Sequence, residues 1–74
     1  MNYHSHLRRD EVWTVLEGTG ETVIDGNAKK VSAGDTIFIP KGTKHLLRAD
    51  TRLVAMEVQI GTDIDVSDKV KHEL

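Results

Sequence analysis

His4-X-His6, close to the start of the chain, places two imidazoles two residues apart. In an extended strand such residues point to the same side, near enough to chelate one ion. Glu11 opens the first strongly apolar run and offers a carboxylate from the neighbouring segment. His45 follows the turn Pro40-Lys41-Gly42-Thr43-Lys44 and offers a third imidazole. Three neutral imidazoles and one carboxylate make a borderline N/O donor set. It suits one divalent ion (Zn²⁺, Fe²⁺, Mn²⁺, Co²⁺ or Ni²⁺) and leaves positions open for water or substrate. Each residue alone also fits a plainer role. A His-X-His pair is often two solvated histidines, Glu11 a solvated charge at a strand start, and His45 a core or surface histidine. The joint pattern favours the metal: three of the four His fall at strand and turn positions that can converge, and the fourth, His72, reads as a tail residue.

The elements that must bring these groups together are strands. Val12 to Leu16 is rich in β-branched and aromatic residues and stops at Gly18-Thr19-Gly20. Thr22-Val23-Ile24 runs into Asp25-Gly26-Asn27, a tight-hairpin signal, and returns through Lys29-Lys30-Val31. After Ala33-Gly34-Asp35, Thr36 to Ile39 reads as a strong strand ended by Pro40. His45 to Arg48 and Arg52 to Ile60 complete the series, the last broken by Gly61. Short strands with turn signals at this density predict a sandwich or barrel. Residues 1–61 read as one domain and 62–74 as a polar tail. In the tail, Ile64, Val66, Val70 and Leu74 could mark a short helix with Ser67 as N-cap, and a frayed end fits equally.

The chain has 74 residues, ten Lys+Arg against twelve Asp+Glu and no Cys. That length holds one core, and a core of this size is marginal without a metal, a partner or unusually good packing. The charge balance argues against nucleic acid as a partner. The absence of Cys excludes a disulfide staple and thiolate ligands. No apolar run is long enough to span a membrane, and Met1 leads straight into polar residues, so a cytoplasmic protein is expected.

His4-X-His6-X4-Glu11-X6-Gly18 resembles the first motif of the cupin superfamily, and Gly34-X5-Pro40-X-Gly42-X2-His45 resembles the second. The resemblance implies an all-β fold, a small antiparallel β-barrel or jelly-roll. It also implies that His4, His6, Glu11 and His45 bind one divalent metal inside it. Two departures stand out. Ala49 replaces the Asn that usually ends the second motif, and Met1 lies only three residues before His4. The barrel is therefore expected to lack the usual N-terminal strands.

A narrower resemblance covers most of the chain. Glu11-Val12-Trp13, Val15 to Gly20 and Ile39 to His45 look like the C-terminal cupin of type II phosphomannose isomerases, often fused behind a mannose-1-phosphate guanylyltransferase. These residues hold no nucleotidyltransferase segment, so guanylyl transfer is not expected of them. The resemblance implies metal-assisted aldose–ketose isomerisation of a hexose 6-phosphate, with the metal as Lewis acid and a base moving the C2 proton. Glu57 is the candidate base, although an outward, solvated Glu fits the sequence as well. Lys44, Arg48 and Arg8, with Arg9 beside it, are candidates to meet the phosphate or to be plainly solvated. Trp13 and Tyr3 could stack on a sugar, Trp13 fitting the core better. The alternative is a non-isomerase metal-binding cupin, a small-molecule binding or sensor module or an oxygenase. An open barrel edge exposes unpaired backbone. A homodimer is therefore expected, pairing or exchanging segments 1–5 or 52–60, unless the chain is a piece of a longer protein whose missing part covers the edge.

Overall fold

The computed structural model describes residues 3–65 and 67–72, and its regular structure is entirely strand. The strands are β1 (His4–Ser5), β2 (Asp10–Glu17), β3 (Thr19–Ile24), β4 (Asn27–Ser32), β5 (Thr36–Ile39), β6 (His45–Ala49), β7 (Val54–Ile60) and β8 (Val70–Lys71). They form a five-stranded sheet in the order β4-β3-β6-β1-β8 and a three-stranded sheet in the order β5-β2-β7. Every pairing is antiparallel. This is the small antiparallel cupin barrel that the two motifs imply.

Local chemistry explains the main turns. Asp25 (φ 48°) and Gly26 (φ 82°) both lie at positive φ, as a two-residue turn of the hairpin type demands. Ile24 therefore faces Asn27, and β4 returns in register beside β3. Gly18 (φ 88°) turns the chain from β2 into β3, where a Cβ would sit 1.9 Å from the Arg52 carbonyl oxygen. Only glycine admits that approach.

Alternation along β2 sends Glu11, Trp13 and Val15 inward. The buried apolar residues are Tyr3, Trp13, Val15, Val23, Val31, Ile39 and Leu46. The buried polar or charged residues are His4, Ser5, His6, Arg9, Glu11, Thr22, His45 and Asp68, one more in number. The interior between the sheets is thus as much a polar cluster as an oily core. Trp13 is a core residue, 2% exposed, and Tyr3 packs with Val23 and Leu46.

The C-terminal segment departs from the expected helix. Residues 65–69 form a turn in which the Ser67 N–H and hydroxyl both donate to Asp65 Oδ1 at 2.9 Å. The chain then joins the larger sheet as β8, pairing His4 with Lys71 and Ser5 with Val70. Ile64 and Val70 stay 46% and 40% exposed. An apolar helical stripe would have had no core to bury against, so backbone pairing with β1 prevails. Val66 and Leu74, the other two positions of that stripe, lie outside the described residues.

Candidate metal centre

β1 is two residues long and is held on both sides. His4 pairs with His45 of β6 and with Lys71 of β8. That pairing sets the His4 and His45 rings 4.3 Å apart, and His6, just beyond β1, lies 4.8 Å from His4. All three rings are at least 95% buried. One nitrogen from each falls within 4.8 Å of the others, an arrangement that could hold a metal ion. Glu11 reaches the same point from the opposite sheet. Its Oε2 is 3.2 Å from His6 Nε2 and its Oε1 is 3.6 Å from His45 Nε2. The structure therefore brings together all four residues that the spacing singled out.

The hydrogen bonds set the ring states. His45 Nδ1 donates to the Thr43 carbonyl at 2.9 Å, and His6 Nδ1 donates to the Asp68 carbonyl at 2.5 Å. A carbonyl can only accept, so in the neutral rings both Nε2 atoms carry lone pairs. Burial, the largest effect, pushes the His45 pKa below its ordinary 6.5, although the Thr43 and Glu11 contacts oppose it. His45 Nε2 is buried and has no hydrogen-bond partner. Two imidazole lone pairs thus converge on a carboxylate, and acceptors alone cannot satisfy one another. A cation among them resolves the arrangement, so the donor set fits a divalent metal.

Arg9 and Trp13 complete the charge arrangement. Arg9 Nε donates to Glu11 Oε2 at 2.8 Å, its second guanidinium nitrogen lies 3.1 Å from His6 Nε2, and the Trp13 indole N–H donates to Glu11 Oε1 at 3.2 Å. Burial, the largest single effect, pushes the Glu11 pKa up. The Arg9 hydrogen bond, the bond with Glu57 and the nearby charges outweigh it and hold the carboxyl below its ordinary 4.5. Trp13 thus serves the core and orients a ligand carboxylate.

A cavity of about 280 Å³ opens onto the cluster, lined by His4, His6, Arg9, Glu11, Glu57, Gln59 and Lys69. Glu57 faces it from β7, opposite Trp13. Partial burial, and then a hydrogen bond with Glu11, raise the Glu57 pKa above its ordinary 4.5, while Gln59, 3.3 Å away, works the other way. Lys44, Arg48 and Arg8 do not line this cavity. Arg48 pairs with Glu21 at 3.5 Å, Arg8 with Asp63 at 3.6 Å, and Lys44 is exposed. Lys69 is the lysine that does line it, and no motif pointed to it. Gln59 was readable, since it shares a strand face with Glu57. His72 is not idle, because its Nε2 lies 2.8 Å from the Ser5 hydroxyl.

A fold of two antiparallel sheets closed around a three-histidine cluster defines a class, and sequence comparison gives its family. The Cupin domain family model matches residues 1–61, and the chain belongs to that family. An uncharacterized protein of Aquifex aeolicus is 38% identical over 71 residues, 96% of this chain and 59% of that one. A mannose-1-phosphate guanylyltransferase of Escherichia coli K12 is 32% identical over 73 residues, 96% of this chain and 15% of that one. The chain thus spans less than two thirds of either relative. Among solved structures, a cupin protein from Bacteroides fragilis superposes with a TM-score of 0.77 at 24% identity, covering 99% of this chain and 68% of that one.

Proposed function

We propose that this chain is a metal-dependent isomerase of a hexose 6-phosphate, acting in the manner of mannose-6-phosphate isomerase, with His4, His6, Glu11 and His45 as ligands. The observation that carries the reading is Glu57, an acid with a raised pKa on the wall of the metal cavity. Isomerisation needs a group of that kind, one that both takes and gives a proton near neutral pH. When bound, the metal supplies Lewis acidity to the oxygens at C1 and C2. Glu57 takes the proton from C2 and returns it to C1, while the O2 hydroxyl proton passes to O1, so no atom is gained or lost. Lys69, at the cavity wall, meets the phosphate. The hexose-phosphate chemistry in the name of the Escherichia coli relative supports the same substrate class.

The same reading assembles the chain as a homodimer through β7. Among the described residues β7 is an edge strand, and its outer face carries Met56, Val58 and Ile60, each 45% exposed or more. Register places Phe38, 56% exposed, in the Val58 row across Val12. An unpaired edge joined to an apolar face suits a two-fold copy of itself.

The test is conversion of mannose 6-phosphate to fructose 6-phosphate by the Zn²⁺- or Mn²⁺-loaded chain. Glu57→Gln should lower kcat by about 10²–10⁴-fold without weakening metal binding. Binding of the sugar phosphate with no turnover would instead identify a small-molecule binding module.

A further inference from the structure

The segment after β7 runs back over the metal centre and fastens to the strand that carries two of its histidines. Asp68 sits at the middle of this strap, only 6% exposed. Its carboxylate accepts from two consecutive backbone N–H groups, Leu7 at 2.9 Å and Arg8 at 2.8 Å. Its backbone carbonyl accepts from His6 Nδ1. The strap is braced on either side. The Asp68 N–H donates to the Asp65 carbonyl at 3.0 Å, and the His72 N–H donates to the Tyr3 carbonyl at 2.9 Å.

We propose that Asp68 is a positioning residue for the metal centre: its carboxylate docks on the backbone just after His6, so that its carbonyl holds the His6 proton on Nδ1 and turns Nε2 toward the other ligands. This rests on the metal reading above, and it adds a residue beyond the 1–61 stretch that the family model matches. The logic is geometric. A ring held only at its Cβ can rotate or move its proton to Nε2, and either change removes a ligand lone pair. A carbonyl fixed opposite Nδ1 forbids both. That carbonyl is itself fixed because the same residue's side chain is tied to Leu7 and Arg8, on the far side of His6. The strap also delivers Lys69, the next residue, to the cavity wall.

The experiment compares the full-length chain with Asp68→Ala and Asp68→Asn, and with Val31→Ala as a control for lost stability. Val31 is buried on β4, at the opposite edge of the sheet from β8. Two readouts are taken well below every melting temperature: imidazole ¹⁵N spectra of the metal-free protein, and Zn²⁺ affinity by competition with a chromophoric chelator. The wild-type His6 should be a single Nδ1–H tautomer. Asp68→Ala should give a tautomer mixture and bind Zn²⁺ about 10–100-fold more weakly, the range for losing such a supporting contact. Asp68→Asn keeps one acceptor oxygen and should fall between. Val31→Ala should keep the wild-type affinity. The proposal is overturned if Asp68→Ala retains the tautomer and the affinity, or if Val31→Ala loses as much. If the wild-type chain binds no Zn²⁺, the metal reading fails by itself, and the tautomer spectra still decide whether the strap sets His6.

Discussion

At the level of single residues, Glu11 carries the largest electrostatic burden. It is 1% exposed and lies against Arg9, itself 8% exposed. Glu11→Ala leaves the guanidinium buried without its partner. Removing one member of a buried pair typically costs about 3–5 kcal/mol, so the urea midpoint of the metal-free variant should fall steeply. Acid should act in two stages on the metal-free protein. His45 faces Glu11, His6 and Arg9, and its folded pKa lies below the ordinary 6.5. The fold favours its neutral form, so that contribution is complete above 6.5 and is lost as pH falls toward the lower folded value. Glu11 has a folded pKa below 4.5, so its contribution persists above 4.5 and is lost only beneath it. Glu57 runs the other way. Its folded pKa lies above 4.5, and its contribution fades as pH rises past that value, partly offsetting Glu11. Urea titrations from pH 8 to 3 should therefore show a first decline beginning near 6.5 and a second below 4.5. A single late step would mean that His45 is not held neutral.

Among the elements, the turns differ sharply in what they tolerate. Gly18 and Gly34 both have positive φ, but a Cβ at Gly34 meets nothing within 4 Å whereas one at Gly18 runs into the Arg52 carbonyl. Gly34→Ala should cost about 1 kcal/mol, from backbone strain alone. Gly18→Ala adds a backbone clash that side-chain motion cannot relieve, and it should cost at least twice as much by chemical denaturation. Much of this architecture was readable in the sequence. Thr36 to Ile39 is a strand at the expected bounds, Asp25-Gly26 is the expected hairpin, and His4, His6 and His45 meet because the spacing of motif glycines and strands leaves them little choice. What was hidden shares a cause. β8 is two residues long, and its pairing with β1 depends on contacts about sixty residues away in the chain. Local pattern carries no trace of such a partner. Asp68 and Lys69 were invisible for that reason. Arg9 was noticed only as a phosphate contact, because its pairing with Glu11 depends on both side chains turning inward.

Taken whole, the molecule has an interior in which buried polar residues slightly outnumber buried apolar ones. So small a core gains unusually from its ion. Zn²⁺ at a hundred times its dissociation constant should add about 2.7 kcal/mol, raising the melting temperature by roughly 10–20 °C for a domain this size, and excess EDTA should reverse it. The outer face of β7 gives a separate test. Sedimentation equilibrium should show a dimer that Val58→Lys converts to monomer, and an 8.3 kDa species at micromolar wild-type protein would refute that assembly. The strap has a consequence in time as well as in space. His6 takes its hydrogen bond from a residue 62 positions further on. During synthesis at about 5–20 residues per second, the nascent chain carries its first two histidines for several seconds before their support exists. Through that interval those histidines are exposed to any free transition metal, with nothing yet to choose among ions. The order of emergence from the ribosome therefore makes selective loading an event that follows translation.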